Sequence, residues 1–145
     1  MTTTGENARQ HFLSGYKCAE SVLLAVAEQQ GIESDLIPSI ASGFCSGMAR
    51  TGGLCGAVAG GVLGLGLACG RQKADQPVDK LYQVEKIFLN QFTEKYGSTC
   101  CAALVHSDFN TPEGQAHFNE NQLILKCHQM VEDATNMVVD LIEIE

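Results

Sequence analysis

The chain has 145 residues and a mass of 15.5 kDa, with 45% apolar and 18% charged residues. This composition is typical of one compact globular domain and excludes fibrous, mucin-like and low-complexity proteins, so we treat residues 1–145 as a single domain. Seventeen acidic and nine basic residues give a formal net charge of −8. Because that charge repels polyanions, we expect neither nucleic acid nor an anionic membrane surface as a partner.

The first part of the chain predicts three helices. Residues 6–13 form the first, which ends near Gly15, because glycine after a periodic stretch is a common stop signal. The second begins at about Tyr16 and ends before Gly31. Its apolar residues fall on one helical face and are Ala19, Val22, Leu23, Val26 and Ala27. A short third helix is predicted over residues 34–41.

Residues 43–70 differ from the rest of the chain because they hold ten of the 15 glycines. No charged residue lies between Arg50 and Arg71, yet the apolar part is about 16 residues long, short of the roughly 20 that a membrane span needs. We therefore predict a buried central helix from Leu54 to Cys69 and no membrane-spanning segment. Its glycines recur every four residues, at Gly56, Gly60 and Gly64. A second backbone can approach such a row closely and offset the propensity cost of about 1 kcal/mol per glycine. That backbone can belong to this chain or to a second copy in a homodimer.

The second half of the chain predicts more helices, separated by short loops, and no strand. Their predicted bounds are Asp75 to Gly97, a short segment capped by Ser98, another opened by Thr111 and Pro112, and a last helix from about Cys127 to Leu141. Short loops favour antiparallel neighbours. The predicted fold is therefore all-α, a compact single-domain helical bundle around the Gly-rich helix.

Seven cysteines are a high count for a chain of this size. The first ten residues lack the charged and apolar regions of a secretory signal, so we expect a cytoplasmic protein. In that reducing compartment, cysteines in such number more often serve catalysis, redox sensing or metal binding than a structural disulfide framework.

Four of the cysteines fall at predicted helix N-termini, and they are Cys18, Cys55, Cys101 and Cys127. The N–H donors and the positive dipole end there favour an anion, which shifts a thiol toward the thiolate. Spacings of 37, 46 and 26 residues, with no CxxC pair, argue against a zinc ribbon and a thioredoxin-type site. A cluster or a disulfide assembled from separate helices stays open. We interpret Cys69 as a packing residue and Cys100 as a bystander beside Cys101. Cys45 fits the packing interpretation too, but its neighbours Gly43 and Gly47 leave open that it is accessible.

Several runs of residues resemble one protein family. The runs are Gly15-Tyr16-Lys17-Cys18-Ala19-Glu20-Ser21-Val22-Leu23, Ala41-Ser42-Gly43-Phe44, Arg50-Thr51-Gly52-Gly53-Leu54-Cys55-Gly56-Ala57-Val58-Ala59-Gly60, Gly97-Ser98-Thr99-Cys100-Cys101, Thr111-Pro112-Glu113-Gly114 and the later Cys127. Over about residues 8–142 they resemble the redox-active proteins named for a CGAxxG motif, also written C_GCAxxG_C_C. The resemblance implies that the family cysteines correspond to Cys18, Cys55, Cys101 and Cys127. A related module in a cytochrome is associated with an iron–sulfur centre, which the resemblance makes an alternative here. Cys45 and His128 depart from the pattern, since the family commonly has glycine and proline there.

Three functions are compatible with these features. In the first, a thiol–disulfide redox protein, Cys55 attacks a disulfide or peroxide and Cys18 or Cys101 resolves the mixed species, with a redox partner that the sequence does not identify. In the second, a non-enzymatic electron-transfer protein, an iron–sulfur cluster or a metal is held by Cys18, Cys55, Cys101 and Cys127. In the third, a helical interaction module, the thiols only pack or cap. Whether the protein is an enzyme stays open.

Overall fold

The computed structural model describes residues 3–143. Within this range it is mainly helical and contains no β-strand, so the all-α prediction is confirmed. A short 3-10 helix, Ser39–Phe44, precedes α3. The α-helices in chain order are α1 (Thr4–Leu13), α2 (Cys18–Gln29), α3 (Cys45–Arg50), α4 (Gly56–Cys69), α5 (Asp79–Tyr96), α6 (Cys101–Val105), α7 (Pro112–Glu120) and α8 (Ile124–Glu143).

The hydrophobic core lies among the long helices. α2 packs along α4, α1 packs along α8, and α8 also contacts α2, α4 and α5. Two wholly buried rings of α5, Phe88 and Phe92, belong to this core, and burial of such rings supplies a large share of the hydrophobic stabilisation. The N-terminal ends of α2, α4, α6 and α8 meet at one place, and that arrangement positions the site described below.

The glycine row of α4 makes a close contact within the chain. A Cβ at Gly60 would lie 2.7 Å from the carbonyl oxygen of Ala19, and one at Gly64 would lie 3.1 Å from Val26. α2 can approach α4 this closely only because side chains are missing at these positions, as predicted. A homodimer stays a prediction. Within residues 3–143, no helix combines the length and the apolar character that crossing a membrane requires.

The segment around Pro38 is not the predicted α-helix. Residues 35–38 form turns, the Ile37–Pro38 peptide bond is cis, and the 3-10 helix follows. A residue that precedes proline is disfavoured in the α region, and proline supplies no N–H for a helical hydrogen bond. The prediction of a helix over residues 34–41 is therefore wrong.

Several helix starts differ from the prediction by two to four residues. α2 begins at Cys18 and α4 at Gly56, so that Cys55 is the N-cap of α4 and does not lie in its first turn. The N–H of Cys55 donates a hydrogen bond of 2.7 Å to the carbonyl oxygen of Thr99, which keeps the preceding backbone extended. α5 begins at Asp79, and α8 begins one turn early, at Ile124.

α3 contains a left-handed turn that nothing in the sequence predicts. Its residues have φ values between 57° and 68° and are Ser46, Gly47, Met48, Ala49 and Arg50. For L-residues other than glycine this region costs about 1–2 kcal/mol each. Neighbouring loops hold the turn in place, because the N–H of Gly53 donates to Gly47 O at 3.0 Å and Asn110 Nδ2 donates to Arg50 O at 2.7 Å.

Candidate functional site

The four cysteines predicted at helix N-termini all line one cavity of about 580 Å³. Cys18 is the first residue of α2, Cys55 caps α4, Cys101 is the first residue of α6 and Cys127 lies in the first turn of α8. The other three cysteines do not line the cavity. No disulfide joins any of the seven cysteines, all of which lie within the described part of the chain.

The rest of the cavity wall is mainly apolar and aromatic. Its larger side chains include Phe12, Tyr16, Phe109, Phe118 and Met130. Among residues 3–143, the charged residues that line it are Lys17 and Arg50, and no Asp or Glu does so. In a chain of net charge −8, this wall is therefore a locally positive surface that favours a negatively charged group.

Cys18 is the one member of the four whose thiol pKa is lowered. The main cause is a hydrogen bond from the side chain of Cys45, and the backbone N–H of Ser46 adds a second. These two donors outweigh burial and the charges of Cys55 and Cys127, all of which act to raise the pKa. Stabilisation of the charged form by hydrogen bonds is a general cause of lowered pKa values, and it makes Cys18 the most acidic of the four thiols.

Two backbone hydrogen bonds fix Cys55 beside Cys101. The N–H of Cys55 donates to Thr99 O, and the N–H of Cys101 donates to Gly53 O, each at 2.7 Å. Gly47 of the left-handed turn lies behind Cys101, and a Cβ there would come within 2.6 Å of the Cys101 Cβ. The turn and this pair of hydrogen bonds therefore define one wall of the cavity.

Burial raises the pKa of the remaining three thiols. It raises the pKa of Cys55 to about 11 and that of Cys127 to about 12, and it raises the pKa of Cys101 as well. The positive charge of Lys126 acts in the opposite direction on Cys55 and Cys127 but is the weaker effect. The expected effect of a helix end does not lower the pKa at Cys55, Cys101 or Cys127, where desolvation is the largest influence, and the lowering at Cys18 comes from Cys45 and Ser46 instead.

Cys45, which the sequence suggested was a packing residue, contacts Cys18. It is 4% exposed, its thiol donates a hydrogen bond of 3.6 Å to the carbonyl oxygen of Ala41, and it also interacts with the sulfur of Cys18. Its pKa is raised, chiefly by the hydrogen bond to Cys18. The signal that could have found it was a cysteine placed where the similar family commonly has glycine.

The side chains do not form a preorganised site for a single metal ion. Within residues 3–143, no three His, Cys, Asp or Glu side chains are grouped as such a site requires. His128, which follows Cys127, packs edge-on against Phe12 with the ring centroids 5.0 Å apart and does not line the cavity. An extra nitrogen ligand beside Cys127 is therefore not available in this arrangement.

One comparison with known proteins identifies a relationship. A family model described as "Putative redox-active protein (C_GCAxxG_C_C)" matches residues 16–141, most of the chain. No curated protein and no solved structure is similar enough to the chain to match. The match covers all four cysteines of the cavity.

Proposed function

Because the chain belongs to the C_GCAxxG_C_C family, we propose that it is a thiol–disulfide redox protein in which Cys18 is the attacking thiolate. One observation carries this proposal. The Cys18 sulfur is held by two hydrogen-bond donors that favour its charged form, and it borders a cavity shared with three other family cysteines. A thiolate at the edge of a cavity is the arrangement that disulfide exchange requires.

The reaction transfers two electrons from the protein to a small disulfide. The Cys18 thiolate attacks one sulfur of the substrate, a mixed disulfide forms, and the second substrate sulfur leaves as a thiolate. A second cysteine of the chain then attacks the Cys18 sulfur and releases the other half of the substrate. A redox partner must afterwards reduce the protein disulfide, in keeping with the reducing cytoplasm that the sequence predicts.

The geometry favours Cys18 over Cys55, which the sequence suggested as the attacking sulfur. Cys55 is 5% exposed and has a pKa of about 11, so that about one molecule in ten thousand carries its thiolate at pH 7. In this proposal Cys55, Cys101 and Cys127 stay protonated and form the wall of the reaction cavity. These three thiols line the same cavity as Cys18 and differ from it in being protonated.

The proposal is tested by titrating the thiols and by following one turnover. Absorbance near 240 nm should show a thiolate that forms below the ordinary thiol pKa of about 8.5, and Cys18→Ser should remove this transition. Mixing the reduced protein with glutathione disulfide should release glutathione, and C18S should release at least tenfold less within the same time. Cys100→Ser, at an exposed cysteine outside the cavity, is the matched control and should behave as the parent protein. A C18S protein with unchanged release would overturn the proposal.

A second candidate function rests on the same convergence of sulfurs. Four cysteines from four separate elements around one cavity are also the ligand set of an iron–sulfur cluster. In that case Cys18, Cys55, Cys101 and Cys127 would hold the cluster, which would supply one-electron transfer when bound. Iron and acid-labile sulfide are measured in anaerobically purified protein. Colourless protein without either would argue against this candidate, and stoichiometric iron that Cys55→Ser abolishes would favour it.

A further inference from the structure

We propose that Cys45 is the resolving cysteine of this protein, the residue that attacks the Cys18 sulfur and closes a Cys18–Cys45 disulfide. This inference rests on the proposed thiol–disulfide function and adds to it a residue outside the four cysteines of the family pattern. It assigns a chemical role to a buried side chain that the sequence suggested was packing.

Contact is the first argument. Cys18 packs against the small buried cluster to which Cys45 belongs, and each of these two thiols is the largest influence on the pKa of the other. Both sulfurs also lie at the N-terminal end of α2, because Cys18 is the first residue of that helix and the N–H groups of Ala19 and Glu20 donate to the Cys45 sulfur. Of the cysteines around Cys18, Cys45 is therefore the one we expect to form the S–S bond of about 2.05 Å.

Direction of approach is the second argument. Cys18 lines the cavity and Cys45 does not. Cys45 belongs to a small buried cluster with Ala19, Leu23 and Ala41, and Cys18 packs against both this cluster and the main core. Cys18 therefore lies between the cavity and Cys45. Displacement at sulfur proceeds in line, so a group bound to Cys18 from the cavity side leaves the opposite side open to Cys45.

The complete step is balanced with a small disulfide RSSR as the oxidant. The Cys18 thiolate and RSSR give Cys18–S–S–R and RS⁻. The Cys45 sulfur then bonds to the Cys18 sulfur, the Cys18–SR bond breaks, and the Cys45 proton accompanies the leaving RS⁻ as RSH. Two electrons pass from the dithiol to RSSR, and the protein ends with one disulfide.

The experiment uses the full reduced chain and excess glutathione disulfide, with disulfides mapped by mass spectrometry. We expect a Cys18–Cys45 disulfide and release of about two glutathione molecules per chain. The Cys45→Ala protein should release only one glutathione molecule and keep the other half bound to Cys18 as a mixed disulfide. The Cys100→Ser protein should release two glutathione molecules.

Three results would contradict the inference, and they are distinguishable. A parent protein that forms Cys18–Cys55 or Cys18–Cys101 disulfide, or a C45A protein that still releases two glutathione molecules, overturns the pairing but leaves the proposed function intact. A parent protein that releases none overturns the proposed function and the pairing together. Mapping in the parent protein does not depend on the folding of any variant, and circular dichroism checks that C45A retains the helical fold.

Discussion

Gly60 of α4 lies directly against Ala19 of α2, one residue after Cys18, so the packing of these two helices sets where the Cys18 sulfur lies relative to the cavity. A Cβ at position 60 would lie 2.7 Å from Ala19 O and 2.9 Å from the Cβ of Val22. The first of these contacts is with backbone, which cannot rotate away as a flexible side chain can. The row of glycines is therefore a requirement of the site as well as of the core.

Gly60→Ala is expected to destabilise the protein although alanine is the better helix former. The gain of about 1 kcal/mol in propensity is smaller than the cost of forcing α2 and α4 apart, which is about 1–3 kcal/mol for an overpacked core. We expect the free energy of unfolding to fall by up to about 2 kcal/mol in urea denaturation. Gly66→Ala in the same helix is the control, because a Cβ there meets nothing within 4 Å and should stabilise by up to about 1 kcal/mol. Equal effects at both positions would contradict the close-packing argument.

Alkylation of individual cysteines should separate Cys18 from Cys55 by pH. Because the pKa of Cys18 is lowered and that of Cys55 is about 11, Cys18 should react with iodoacetamide near neutral pH and Cys55 only in alkaline solution. Rates for each residue are read by mass spectrometry of digests. If Cys55 reacts faster than Cys18 at pH 7, Cys55 is the better candidate for the attacking sulfur.

Stability should decline at alkaline pH because of the buried thiols. The folded protein holds the protons of Cys55 and Cys127 more tightly than the unfolded chain, since their pKa values of about 11 and about 12 exceed the ordinary value of about 8.5. Their contribution is complete below pH 8.5 and is lost as the pH rises through 11 and 12. Denaturation midpoints measured under reducing conditions from pH 8 to 11 should fall less steeply in C55S than in the parent protein. Identical slopes would show that Cys55 is not buried as a protonated thiol.

The positive wall of the cavity predicts a preference for anionic disulfides. Lys17 and Arg50 line the cavity, while the acidic residues that give the net charge of −8 are distributed elsewhere and are screened beyond about 8 Å at physiological salt. The reduced protein should react faster with an anionic aromatic disulfide than with cationic cystamine. The double substitution Lys17→Gln and Arg50→Gln should reduce the ratio of these two reaction rates about three- to tenfold. Lys73→Gln, outside the cavity, is the control. If the double substitution leaves the ratio of rates unchanged, the cavity wall does not discriminate between disulfides by their charge.

The left-handed turn should affect Cys18 at a distance. Gly47 has φ of +66° and lies against Cys101, so Gly47→Ala introduces both an unfavourable backbone conformation and an overlap. We expect the turn to shift, which weakens the hydrogen bond from Ser46 to Cys18 and raises the pKa of Cys18 toward the ordinary value. The pH profile of Cys18 alkylation measures this change. Gly43→Ala, whose added Cβ meets nothing within 4 Å, should leave the profile unchanged. A normal profile in G47A would show that the turn does not support the thiolate.

Local signals predicted much of the fold. The ends of α1 and α5, the cap of α7 by Thr111 and the close approach at Gly60 follow from residues adjacent in the sequence or from one helical period. They were predictable because capping and propensity act over a few residues. The turn before Ser39 has a local cause as well, Pro38, which the predicted helix over residues 34–41 did not take into account. The start of α4 could not be predicted locally, since it depends on a hydrogen bond from Cys55 to Thr99, 44 positions away.

The amino-acid sequence by itself determined which four cysteines line the cavity, because each lies at or near the N-terminal end of a helix and those ends pack together. Only the tertiary structure decided which of them has a lowered pKa. Desolvation raises the pKa of Cys55, Cys101 and Cys127, whereas at Cys18 the hydrogen bonds from Cys45 and Ser46 outweigh desolvation. Burial and contacts between distant segments have no local sequence signature, so Cys45 became visible as a partner of Cys18 only in the folded chain.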